Sequence, residues 1–270
     1  MLRTDEILST IQMLHAEHLD VRTVTLGVNL ADCAAPEVSL MCRKVRQKIG
    51  RYAAGLEPAC AAVAAKYGVP ITNRRLAVSP AVGLLAGHGR PAAMALAEAL
   101  DDAAADAGVD LVGGFTCFCE KGITAADAML MDALPEVLGR TDRVCSSVNL
   151  ASRQAGINLD AAARMGRIIR QIAEATADRR GFGCAKLVVF ANVPQDNPFM
   201  AGAHLGQGEP EAVINVGVSG PGVIASALRR RVELEPELTI GELAEEIKIT
   251  AFRVTRVGEL IGREVAGELE

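Results

Sequence analysis

The sequence predicts an α/β fold, with a mostly parallel sheet covered by helices. Apolar, β-branched runs alternate with helix-period stretches about six times, the pattern of βαβ units. Half of the 270 residues are hydrophobic, enough to bury a sizeable core in a single domain. The β-rich runs end in Asn, Asp, Gly and Pro, the residues of tight turns.

Each element has its own signal. Thr4 is placed to cap a first helix over 5–18, with Ile7, Ile11 and Leu14 on one face. Residues 21–30 form a strand that Asp32, Cys33 and Pro36 break. One or two helices follow over 36–67, with Val38, Met41, Val45 and Ile49 at helical spacing, and Gly68-Val69-Pro70 ends them. Residues 71–79 read as a strand with Arg74 and Arg75 inside it. After the Gly87–Pro91 turn an Ala-rich helix runs to about Ala107. The next strand covers 109–119, and Thr124 caps a helix through Leu130. A strand at 144–150 and a helix over 159–177 follow. Strands at 186–192 and 212–218, a helix over 223–231 and a last helix over 240–269 complete the chain.

Composition excludes several functions. No run approaches the length of apolar chain that spans a bilayer, so no membrane association is expected. The start, with Asp5 and Glu6, lacks the basic end of a signal peptide. The net charge of −5 is spread along the chain, without the basic stripe that nucleic acid requires. Seven cysteines without a secretion signal predict reduced thiols in the cytoplasm.

The richest chemistry lies between Ala185 and Ile224, where two strands flank a loop dense in Asp, Asn, Gly and Pro. Gly217-Val218-Ser219-Gly220-Pro221-Gly222 follows a strand and opens a helix. It is either a tight turn or an anion cradle of backbone N–H groups. It matches neither a Walker loop nor G-x-G-x-x-G. In the loop, Asp196-Asn197-Pro198 specifies a turn, and His204 is an acid–base candidate. Asn192 and Asn215 sit on the flanking strands. Cys117 and Cys119, two apart on a strand, share a face. Without a second pair of ligands at metal spacing, they are expected to be small buried hydrophobes, and no metal is expected. Cys145, Ser146 and Ser147 are nucleophile candidates on a strand that also carries Asn149.

Several segments resemble the PFL family proteins, which are pyruvate formate-lyase-like. They are Val144–Asn149, Lys186–Asn192, Asp196–Gly202, Asn215–Val223, Arg22–Gly27 with Asp32-Cys33, Gly113–Phe115 and Thr250–Gly258. The resemblance covers essentially the whole chain. It implies the first half of a glycyl-radical-enzyme-like ten-stranded barrel, with a further half beyond Glu270. No radical site is implied, because Glu259 follows Gly258 where an aromatic residue is needed. Thr116-Cys117-Phe118-Cys119 departs from the family's small or apolar residues there.

The expectation is a non-radical enzyme for a small anionic metabolite, amino-acid- or keto-acid-like, with no cofactor identifiable. The alternatives are a metabolite-binding protein or an inactive fragment. Asp196, His204 and Cys145 are the catalytic candidates. Asn149, Asn192, Asn197, Asn215, Gly217, Ser219, Gly220 and Gly222 are the ligand-binding candidates. A half-barrel leaves sheet edges unpaired, so a homo-oligomer or a second chain supplying the missing half is expected.

Overall fold

The structure, a computed structural model, describes residues 19–269. The expected first helix over 5–18 lies outside the described residues. The elements in order are β1 Val21–Val28, α1 Val38–Ala53, α2 Leu56–Tyr67, β2 Ile71–Val78, α3 Val82–Leu85, α4 Arg90–Asp106 and β3 Leu111–Phe118. They continue with α5 Ala125–Arg140, β4 Val144–Ser152, β5 Gly156–Ile157, α6 Leu159–Ala175, β6 Leu187–Ala191, β7 Ala212–Val218, α7 Gly220–Leu234 and α8 Ile240–Leu269.

The strands form a seven-stranded sheet in the order β5-β4-β3-β2-β1-β7, with β6 also paired to β4. The β2–β3, β3–β4 and β4–β6 pairs are parallel, as strand–helix alternation predicts. The sheet is mixed because β5 returns antiparallel to β4. That two-residue hairpin is too short to leave a periodic signal in the sequence.

The chain divides into two compact units. The larger comprises 26–57 and 75–213. Its helices bury apolar stripes. On α1 these are Met41, Val45 and Ile49, which the sequence predicts, and Ala53; on α6 they are Ala161, Met165, Ile168 and Ile172, where Asn158 caps the Ala161 N–H at 3.0 Å. α4 buries Ala92, Ala93, Ala97, Ala103 and Ala104, small residues that let it pack against α1 and α5. Thr124 forms a capping box with Asp127. The helix it starts runs past the expected Leu130 to Arg140, with Pro135 inside it. Buried Leu130, Met131, Leu134, Val137 and Leu138 outweigh the hydrogen bond that the proline removes.

The smaller unit comprises 19–25, 58–74 and 214–269. Here α7 packs on α8, which buries Val254, Val257, Ile261 and Val265. Gly258 and Gly262 let the helix approach β7, since Cβ atoms there would lie 3.5 Å from Val218 Cγ1 and 3.3 Å from Val216 Cγ2.

Candidate functional site

The site is set by a bulge in β3. The β3–β4 register runs Val112↔Val144 and then Phe115↔Ser146, so β3 holds one residue more at Gly113-Gly114. Both glycines are required. Gly114 has φ +109°, and a Cβ there would lie 2.4 Å from the Val78 carbonyl oxygen. A Cβ on Gly113 would lie 2.5 Å from the Ala203 carbonyl oxygen, so the 192–211 segment rests directly on β3. Past the bulge side chains alternate: Thr116 and Phe118 take one face, Cys117 and Cys119 the other. Opposite Thr116 and Phe118 stand Ser147 and Asn149, near the C-terminal end of β4. Thr116 Oγ1 and Ser147 Oγ are 2.9 Å apart.

His204 closes this face. Asn197 and His204 form an isolated antiparallel bridge, exchanging backbone hydrogen bonds of 3.1 and 2.8 Å. Within the loop so closed, the Gly202 carbonyl accepts from Asn197 Nδ2 at 3.1 Å and from Ser147 Oγ at 3.5 Å. His204 Nδ1 lies 3.3 Å from the same oxygen. Gly202 itself lies against Phe190, whose ring a Cβ would meet at 2.4 Å. The His204 ring meets Phe118 edge-on, with centroids 5.3 Å apart.

Two atoms of this face have no partner among the described residues: His204 Nε2 and Asn149 Oδ1. Their chemistry is set by the bonds their neighbours make. A carbonyl only accepts, so Nδ1 carries the proton of the neutral ring and Nε2 presents a lone pair. Asn149 Nδ2 donates to Glu120 Oε2 at 3.0 Å, which fixes the amide and leaves Oδ1 as an acceptor. His204 touches Phe118, and Asn149 is its register partner, so two residues with buried acceptors neighbour a half-buried aromatic ring.

Of the sequence candidates, the structure brings Asn149, Asn197 and His204 to this face. Asp196 is in the same loop, where its Oδ1 accepts from the Gly206 N–H at 3.3 Å. Asn192 follows β6 in the left-handed region (φ 59°), and its Oδ1 accepts from the Arg153 N–H at 3.1 Å. Cys145 is buried at the start of β4, about 13 Å along the strand from Asn149. Burial pushes its thiol up to about 11, against the pull of Lys186 and Arg75, so it is protonated at neutral pH. Asn215, Gly217, Ser219, Gly220 and Gly222 all belong to the smaller unit. There Asn215 and Gly217 lie within β7, and a Cβ on Gly217 would lie 2.8 Å from Thr23 Cγ2. Ser219 precedes α7 without a side-chain cap bond, and Gly220 and Gly222 form the helix's first turn.

The opposite face of β3 holds a second cluster. Cys117 Sγ and Cys119 Sγ are 3.8 Å apart, and one ligand atom from each of Cys117, Cys119 and Asp127 lies within 4.8 Å of the others. All three residues are buried. The bond from Cys119, then burial and the Asp127 charge, raise the Cys117 thiol well above its ordinary value. Sequence reading named Ser147 only as a nucleophile candidate and missed Thr116, Glu120 and Asp127. Thr116 could have been found by pairing β3 and β4 in register. Asp127 follows Cys119 by eight residues across a turn, a spacing with no motif.

Together these features define an α/β protein with a polar site at the C-terminal ends of parallel strands, where such sheets place their ligands. A family model described as Uncharacterised ACR (DUF711) matches residues 12–270, and the chain belongs to that family. A UPF0210 protein of Desulfovibrio desulfuricans is 56% identical over 274 residues, covering 100% of this chain and 59% of its own length. A UPF0210 protein of Oleidesulfovibrio alaskensis is 55% identical over 269 residues, again with 100% and 59% covered. One of Methanosarcina barkeri is 50% identical over 265 residues, covering 98% of this chain and 57% of the relative. The chain therefore spans less than two thirds of the length of these relatives. The family match corrects the resemblance to PFL family proteins: the family is DUF711, and the relatives are UPF0210 proteins. The barrel expectation that came with that resemblance loses its basis.

Proposed function

We propose that the His204 face of β3 and β4 binds a small metabolite and that His204 exchanges a proton with it, in an enzyme that works without a radical. The observation that supports this is the pair of buried, unpartnered acceptors: His204 Nε2, on the ring that meets Phe118, and Asn149 Oδ1, on the register partner of Phe118. Leaving a buried polar atom unpaired costs about 1–3 kcal/mol, so two together favour a ligand that supplies donors. A hydroxyl or an ammonium fits, and the Glu120 carboxylate beside Asn149 favours the same charge. The expectation of a small anionic metabolite rested on the polar loop and the Gly217–Gly222 turn. At His204 the two open acceptors favour a hydroxy or amino compound, bound by its donor. His204 Nε2 takes the proton, and the Gly202 carbonyl holds the ring in the tautomer that can do so.

Thermal unfolding with millimolar serine, lactate, glycerate and simple amino alcohols tests this reading. At least one compound should raise Tm in the wild type and in neither His204→Asn nor Asn149→Leu. No rise with any of them, or a rise that both variants keep, would overturn it. A second reading, a metabolite-binding protein without turnover, is favoured by the complete burial of His204. Mass-spectrometric detection of a converted compound separates the two.

We also propose that further chain, or a second copy, packs on this one. In the larger unit β6 pairs only with β4 among the described strands and exposes Val189. In the smaller unit α8 exposes Ile240, Ile249 and Phe252. The seven cysteines are all free, which suits a reducing, cytoplasmic setting. No described helix is long and apolar enough to cross a membrane.

A further inference from the structure

On the face of β3 turned away from His204, we propose that Cys117, Cys119 and Asp127 form a binding site for one divalent transition-metal ion of the zinc class. The inference is independent of the small-molecule reading.

Three independent observations support it. The first is distance. Two thiolates bound to zinc at about 2.3 Å in a tetrahedron stand about 3.8 Å apart. The two sulfurs are 3.8 Å apart, and a carboxylate oxygen of Asp127 lies within 4.8 Å of both. The second is orientation. Asp127 Oδ2 accepts from the Thr124 N–H at 2.9 Å and from Thr124 Oγ1 at 2.6 Å, so the capping box holds the carboxylate while Oδ1 takes no part in it. The Cys119 backbone is held as firmly: its N–H donates to Asn149 O at 2.8 Å, and its carbonyl accepts from Asn158 Nδ2 at 2.6 Å. Such supporting bonds are what fix metal ligands in place. The third is chemistry. Two sulfurs with one carboxylate select zinc, iron or cobalt over magnesium or calcium, which take oxygen ligands.

The ion enters as the dication, each thiol loses one proton to solvent, and the Asp127 carboxylate supplies the third bond. The complex keeps one coordination position for water or another small donor, as three-ligand zinc sites do. Without the ion, the sulfurs share a thiol–thiol hydrogen bond.

Cobalt(II) titration of the metal-stripped chain is the test. One equivalent should bind with a thiolate-to-cobalt charge-transfer absorption, and zinc should displace it. Zinc addition to unbuffered protein near pH 7 should release about two protons per ion. Cys117→Ser and Cys119→Ser should lose the absorption, with affinity reduced at least about a hundredfold, and Asp127→Asn should lose at least about tenfold. Cys60→Ser and Cys145→Ser should bind as the wild type does. The proton count is read on the wild type, so it decides even if a cysteine variant fails to fold. Folded wild-type protein without the absorption, binding without proton release, or an absorption that survives in both Cys117→Ser and Cys119→Ser would overturn the assignment and leave a thiol pair only.

Discussion

The two faces of the β3–β4 strand ends are built from the same residues of backbone and solve opposite problems. On the helix side, Cys117, Cys119 and Asp127 are already bonded, the sulfurs to each other and the carboxylate to its own helix start. On the loop side, His204 and Asn149 each spend one polar atom on holding their position and leave the other unpaired. A face of the first kind is stable by itself. A face of the second kind leaves two acceptors open to a donor, which is what the proposed function draws on. Strand alternation after the Gly113-Gly114 bulge is what keeps the two chemistries apart.

The largest effect should come from breaking the bulge that keeps the two faces apart. Gly113→Ala puts a Cβ 2.5 Å from the Ala203 carbonyl, and Gly114→Ala adds a φ of +109° to a 2.4 Å contact with Val78. Each should lower stability by about 3 kcal/mol or more in urea denaturation. Any ligand response at His204 should vanish with it.

A pH experiment sets the other end of β4 against both faces. Cys145 has its thiol raised from 9.0 to about 11 by burial. A folded value above the unfolded one gives stability that is complete below pH 9 and lost as pH rises from 9 through about 11. The Cys145 share of the loss should reach about 2–3 kcal/mol, read as the difference in urea midpoints between wild type and Cys145→Ala across that window, because the raised Cys33 and Cys117 thiols add losses of their own.

On the helix side, Thr124→Ala removes half of the capping box and should cost about 1 kcal/mol. It should also loosen Asp127 while leaving any His204 ligand response intact. The smallest effect is expected from His204→Phe. It gives up the bond to Gly202 but also removes the orphaned Nε2 and keeps the ring against Phe118. Its stability should stay within about 1 kcal/mol of wild type, and its ligand response should be lost.

Much of the fold was legible because periodicity reports burial. β1, β2, β3, β4, β6 and β7 fall where alternation and β-branching place them, and α1 buries the expected Met41, Val45 and Ile49. The extent of α5 was not legible, since Pro135 reads as a breaker until the apolar residues around it are seen packed. The site was legible only where it is local. Asn197 and His204 share one loop, and Asn149 sits at a strand end. The Gly217–Gly222 turn has the right residues but belongs to the other unit. Cys145 has a reactive side chain at the wrong end of its strand. Asp127 and Ser147 owe their places to tertiary pairing, which no linear spacing encodes.

Crystals soaked separately in serine, lactate and glycerate test the central claim most directly. The expected result is density for one of them with a donor within hydrogen-bond reach of His204 Nε2 and Asn149 Oδ1, and with the Gly202 carbonyl still on Nδ1. Binding only elsewhere, or an unchanged pair of acceptors at saturating concentrations of every compound, would contradict it.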